Sequence, residues 1–111
     1  MEVFKDIVGF EGKYQISNLG NVKSLNYKNT HQEKLLKPVP HSKGYLKIQL
    51  MKDGKRKSCF IHRLVAEAFL SNPDNKPEVN HINSNRQDNR LENLEWVSTS
   101  ENALHRWRRQ A

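Results

Sequence analysis

Val79-Asn80-His81-Ile82, the run from Asn83 to Arg90, Leu94-Glu95-Trp96-Val97 and Ser98-Thr99-Ser100-Glu101-Asn102 are the stretch that decides how this chain is read. Behind the apolar entry Val79, Asn80-His81-Ile82 begins a strand-like piece, and Leu94 to Val97 reads as its return strand. Asn83 to Arg90 holds Asn, Ser, Asp and Arg, short polar side chains that favour turns over ladders. Ser98 or Ser100 can cap a final helix carrying Glu101, Asn102, Leu104, His105 and Trp107. Strand, loop, strand, helix is a ββα unit.

Upstream, Leu64, Val65, Ala68 and Phe69 recur at helical spacing within residues 61–70, and Asn72-Pro73 ends that helix. Before it the pattern is β. Tyr45-Leu46-Lys47-Ile48-Gln49-Leu50 alternates, Asp53-Gly54 supplies a hairpin turn, and Lys55 to Ile61 returns. Tyr14-Gln15-Ile16-Ser17 and Val22-Lys23-Ser24-Leu25 flank a turn at Asn18-Leu19-Gly20-Asn21. The class expected is α+β, with antiparallel hairpins over residues 1–60 and the ββα unit within 61–111, packed as one compact unit.

Charge narrows the partner. The chain has 111 residues and a formal net charge of +7. The excess lies in residues 1–60, with 12 Lys and Arg against 5 Asp and Glu, whereas residues 61–111 are balanced at 7 and 7. A basic segment of this kind suits phosphate neutralisation with counterion release, although solvated lysine faces are also common. Nucleic acid is the partner expected, and no membrane: no apolar run reaches the roughly 18 residues of a span. The N-terminus has no signal-peptide pattern, which predicts a soluble, cytoplasmic protein. A single Cys rules out an intrachain disulfide and a Cys-rich zinc ribbon.

His62-Arg63-Leu64-Val65-Ala66-Glu67-Ala68-Phe69, then Val79-Asn80-His81-Ile82, Asn89-Arg90-Leu91-Glu92-Asn93-Leu94-Glu95-Trp96-Val97 and Glu101-Asn102 together resemble an HNH endonuclease of the phage and intron-encoded homing type. The segment from Phe4 to Val22 resembles the DNA-binding module that often precedes that nuclease. The resemblance implies a ββα-metal nuclease motif that hydrolyses the phosphodiesters of double-stranded DNA, with His81 as the general base. It implies a divalent metal, Mg²⁺ or Mn²⁺, held by Asn80, Asn102 and, as one option, His105, and no small-molecule cofactor. Asn93 is implied to tie the loop so that His81 keeps its orientation. Many family members carry Asp where this chain has Asn80, so the resemblance also implies weaker metal binding here.

DNA contacts are expected from Lys43, Lys47, Gln49, Lys55, Arg56 and Lys57 in the hairpin region, from Arg63, and from Arg106 and Arg108 in the basic tail. Arg63 has an equal alternative as the ion-pair partner of Glu67 at i+4, and His105 as a phosphate contact or cap. Trp96 is expected in the core. With so little chain after the site, low sequence specificity is expected. Two other readings stay open: a DNA-binding protein of the same fold with a weak or inactive site, and a non-enzymatic phage protein that binds nucleic acid.

Overall fold

The computed structural model describes residues 1–26 and 32–102. Among the described residues, nine strands fall into three antiparallel sheets that pack around helix α1 (Ile61–Phe69). Strands β1 (Phe4–Asp6), β2 (Tyr14–Ser17), β3 (Val22–Ser24) and β4 (Lys34–Leu36) form the first sheet in that order. The β2–β3 turn is the one expected, with Ile16 opposite Val22. Ser17 is fully buried because its hydroxyl accepts the backbone N–H groups of Leu19 and Asn21, which closes the turn. Gly20 stands there at φ +90°, where a side chain is strained.

The second sheet contains β5 (Val39–Pro40), β6 (Leu46–Lys52) and β7 (Lys55–Phe60). The β6–β7 turn has positive φ at both Asp53 (53°) and Gly54 (75°), as a two-residue hairpin of matching twist requires. Ile48 and Leu50 point to the core. Residues paired across strands share a face, so Lys47 and Gln49 lie with Ser58 and Arg56, while Lys52, Lys55 and Lys57 lie on the other face. The hairpin cations are thus divided between two surfaces, a division that their count alone does not reveal. Strands β1, β4 and β5 were not expected from the sequence; each has two or three residues, too few to show a period.

Helix α1 (Ile61–Phe69) follows β7 directly and packs on β2, β6, β7, β8 and β9. Its Ile61, Leu64 and Val65 are buried, each stabilising by about 1.5–3 kcal/mol on leaving water. They join Ile7, Phe10, Ile16, Val22, Ile48, Leu50, Val79 and Leu94 in a single apolar cluster. Trp96 packs against it and donates its indole N–H to the Leu70 carbonyl at 3.3 Å.

The third sheet is β8 (Glu78–His81) against β9 (Leu94–Val97), with a 3₁₀ turn at Leu91–Asn93 leading into β9. The strand ends on His81 rather than running on through Ile82, whose side chain is exposed. Helical backbone resumes at residues 99–102. Ser98 is the cap: its hydroxyl accepts the Glu101 N–H at 3.1 Å, while the Glu101 carboxylate accepts the Ser98 N–H at 2.9 Å. No helix among the described residues is long and apolar enough to cross a membrane.

Candidate functional site

The Asn-rich loop between β8 and β9 is built by amides that bond backbone a short distance away. Asn83 Oδ1 accepts the Asn85 N–H, and Asn85 Oδ1 accepts the Gln87 N–H, at 2.9 and 3.0 Å. Asn93 closes the loop. Its side-chain oxygen accepts the Asn83 N–H, its amide nitrogen donates to Asn83 Oδ1 and the Asp88 carbonyl, and its backbone carbonyl accepts the Ile82 N–H. Asp88 also grips Arg90 through both carboxylate oxygens, which holds its pKa down at about 2.

This loop fixes His81. The ring is buried at the end of β8, and its Nε2 lies 2.8 Å from Oδ1 of Asn89, itself buried. An amide oxygen only accepts, so Nε2 carries the proton of the neutral ring and Nδ1 holds the lone pair. Burial lowers the His81 pKa and Arg86 adds to that; the Asn89 bond and Asp88 oppose it.

Beneath His81 lies His62, at the start of α1, with ring centroids 4.9 Å apart. His62 Nδ1 is buried with no hydrogen-bond partner among the described residues. Burial above all, and then the His81 and Arg63 charges, push its pKa down to about 3, so it is neutral at ordinary pH. Tyr45, just before β6, completes the stack at 4.9 Å from His62 and 5.9 Å from His81. The Arg86 guanidinium covers the Tyr45 ring at 4.9 Å and donates to the Lys43 carbonyl. A residue from the N-terminal half therefore lines the His81 pocket, held by an arginine from the loop.

Asn80 and Asn102 come to one side of the β8–β9 pair. Asn80 Nδ2 donates to Glu95 Oε1 at 2.9 Å, and Asn102 Nδ2 donates to Glu78 Oε1 at 2.6 Å. Each amide is thereby turned so that its oxygen is the end left for a cation. Hard divalent ions prefer oxygen ligands, so this donor set fits a hard divalent cation. Among the described residues no group of three or more His, Cys, Asp or Glu could hold a metal.

The remaining expected residues are spread out. Arg63 donates to the Pro77 carbonyl at 3.0 Å, stands 3.9 Å from the Glu67 carboxylate and covers Trp96 at 5.6 Å, which is the ion-pair alternative in structural form. Lys43 is exposed beside the site, while Lys47, Gln49 and Arg56 share the hairpin face that also carries Ser58. Lys55 and Lys57 are on the opposite face. His105, Arg106 and Arg108 lie outside the described residues. Sequence reasoning missed Asn89, His62, Tyr45, Arg86, Glu78 and Glu95. Strand pairing from His81↔Leu94 outward would have placed Glu95 opposite Asn80, but nothing separates Asn89 from its turn-forming neighbours.

Residues 2–51 match the family described as NUMOD4 motif, and residues 59–104 the family described as HNH endonuclease. The uncharacterized HNH endonuclease L247 of Acanthamoeba polyphaga mimivirus is 47% identical over 109 residues, covering 94% of this chain and 26% of that protein. DNA endonuclease I-HmuI of Bacillus phage SP01 is 39% identical over 95 residues, covering 86% of this chain and 52% of that one. A solved structure of I-HmuI, described as DNA binding and cleavage by the HNH homing endonuclease, superposes with a TM-score of 0.87 at 37% identity, over 97% of this chain and 59% of the other. The chain thus spans between about a quarter and a half of the length of these curated relatives. With both motifs in order and the α+β fold shared, the chain belongs to the HNH endonucleases that carry a NUMOD4 motif.

Proposed function

We propose that the chain hydrolyses DNA phosphodiesters with His81 as general base and one divalent cation, Mg²⁺ or Mn²⁺, held by Asn80 and Asn102. The observation that carries this reading is His81 itself: a buried ring, neutral at physiological pH, with Nε2 engaged by Asn89 and the lone pair on Nδ1. A neutral imidazole with one nitrogen anchored can take a proton from water at the other.

His81 Nδ1 would accept the proton of the attacking water, and the ring would become an imidazolium still bonded to Asn89. Asn93 acts earlier, keeping the loop closed so that Asn89 stays in place. A cation bound by the two amide oxygens would polarise the scissile phosphate and stabilise charge on the departing 3′ oxygen. The products would carry 5′-phosphate and 3′-hydroxyl ends.

Duplex DNA would lie along the hairpin face that holds Lys47, Gln49 and Arg56, which continues from Tyr45 at the His81 pocket. From Tyr45 to Met51 that face runs about 20 Å, long enough to follow a groove past the site. Lys43 would add a phosphate contact, while Lys55 and Lys57, on the hairpin's other face, would point away from it. Arg63 is committed to Pro77 and Glu67 and would hold the helix in place instead of gripping phosphate. The residues form two working parts on one core: a basic β module over 1–60 and the nuclease module over 61–111. That arrangement would act inside the cell, where its DNA substrate is.

Supercoiled plasmid incubated with Mg²⁺ or Mn²⁺ tests the reading. Wild type should convert it to open circle or linear DNA, and His81→Ala should not. Wild type that binds duplex DNA but nicks nothing with any divalent ion would point instead to a DNA-binding protein of this fold.

A further inference from the structure

We infer that Glu95 and Glu78 are positioning residues for the cation, each orienting one amide ligand and supplying the negative charge that an amide lacks. The inference rests on the metal reading above and explains how a site with Asn80 could still hold a divalent ion.

The β8–β9 register places Asn80 directly opposite Glu95, so their side chains emerge on one face. Glu78 precedes Asn80 by two residues on β8 and therefore shares that face. Asn102, on the helix after β9, reaches Glu78. Carboxylate and amide thus alternate: Glu95 with Asn80, Glu78 with Asn102.

An amide can present either of its ends to a cavity, and only the oxygen binds a cation. A carboxylate that accepts the N–H₂ end settles the choice, because turning the amide around would set two oxygens against each other. It also draws electron density toward the carbonyl oxygen, which makes that oxygen a better ligand. Two carboxylates lie one hydrogen bond behind two neutral ligands, so the pair of charges matches a dication. Asn80 is buried, whereas Glu95 is exposed, so the carboxylate keeps its hydration while the amide carries its influence inward. Partners behind metal ligands typically change affinity by about 10–100-fold when removed.

A merely structural role makes a different forecast. Glu95 is exposed and its bond to Asn80 would then contribute to strand pairing alone, so its loss would shift thermal stability and leave cation affinity untouched.

The test is Mn²⁺ binding to the full chain, followed by the electron paramagnetic resonance of free Mn²⁺, beside the Mn²⁺ concentration that half-saturates plasmid nicking. Glu95→Gln keeps an acceptor for the Asn80 N–H but removes charge, and should weaken Mn²⁺ about tenfold; Glu95→Ala should weaken it further. Asn80→Asp combined with Glu95→Gln moves the charge onto the ligand and should restore wild-type affinity or better. Glu78→Gln should act through Asn102 in the same direction. Affinities within about twofold of wild type in Glu95→Gln and Glu95→Ala, with wild type binding normally, would overturn the inference while leaving the metal site standing. Wild type that takes up no Mn²⁺ would overturn both.

Discussion

Gly20 and Asn89 touch across the two halves of the chain: a Cβ on Gly20 would lie 3.0 Å from the Asn89 Cβ and 3.3 Å from its carbonyl oxygen. The same turn offers the Asn18 carbonyl to the Leu91 N–H at 2.8 Å. The β2–β3 turn is therefore a seat for the loop that orients His81, and the N-terminal module takes part in the geometry of the site it precedes.

Gly20→Ala should reduce both stability and nicking. Positive φ strains any alanine by about 1 kcal/mol or more, and the new methyl pushes on Asn89. Gly12→Ala is the comparison, since Gly12 has φ +79° and open space around it. It should lose thermal stability through the φ strain alone, while nicking per folded molecule stays at the wild-type rate. Equal loss of nicking in both variants would count against the seat.

Asn89→Ala removes the acceptor at His81 Nε2. Leaving a buried donor unpaired costs about 1–3 kcal/mol, so the melting temperature should fall. Nicking should fall more than tenfold, about 1.4 kcal/mol or more at the transition state, because the ring loses its preferred tautomer. Imidazole ¹⁵N shifts measure that tautomer directly. A single Nε2–H form in wild type that becomes mixed in the variant is the outcome expected; an unchanged tautomer would assign Asn89 to packing alone.

Acid should destabilise the fold through His62. Its folded pKa of about 3 lies below the ordinary 6.5, so the unfolded chain binds the extra proton between those values. The stabilisation is complete above pH 6.5 and declines as pH falls toward 3, with a slope of up to about 1.4 kcal/mol per pH unit. Melting temperatures from pH 7 to pH 4 should show this fall in wild type and a shallower one in His62→Phe, which keeps a ring against Tyr45. Identical slopes would mean that other groups dominate.

Removing Lys47 and Arg56 together should weaken duplex binding and lower the slope of log affinity against log salt by about two. Lys52→Ala, on the opposite hairpin face, should leave that slope nearly unchanged. A salt titration by fluorescence anisotropy separates these outcomes. A Lys52→Ala effect equal to that of either Lys47→Ala or Arg56→Ala would show that charge count, not the face, governs binding.

The local order of this chain was readable from its residues because local rules produce it. Alternation at Leu46–Leu50 with Asp53-Gly54 wrote one hairpin, Gly20 wrote another, and Leu64, Val65 and Ala68 wrote the helix. The pattern from Asn80-His81 through Asn93 to Asn102 carried the family. What the tertiary structure alone decided is which side chains stand behind those residues. Asn89 is one of several loop asparagines until folding brings it to His81, and Glu95 is one acidic residue among many until β9 pairs with β8. His62 and Tyr45 lie 19 and 36 positions before His81 in the chain, yet their rings pack against it. Contacts at such separations come from the packing of sheet, helix and loop on one core, and no periodicity within a single segment encodes them.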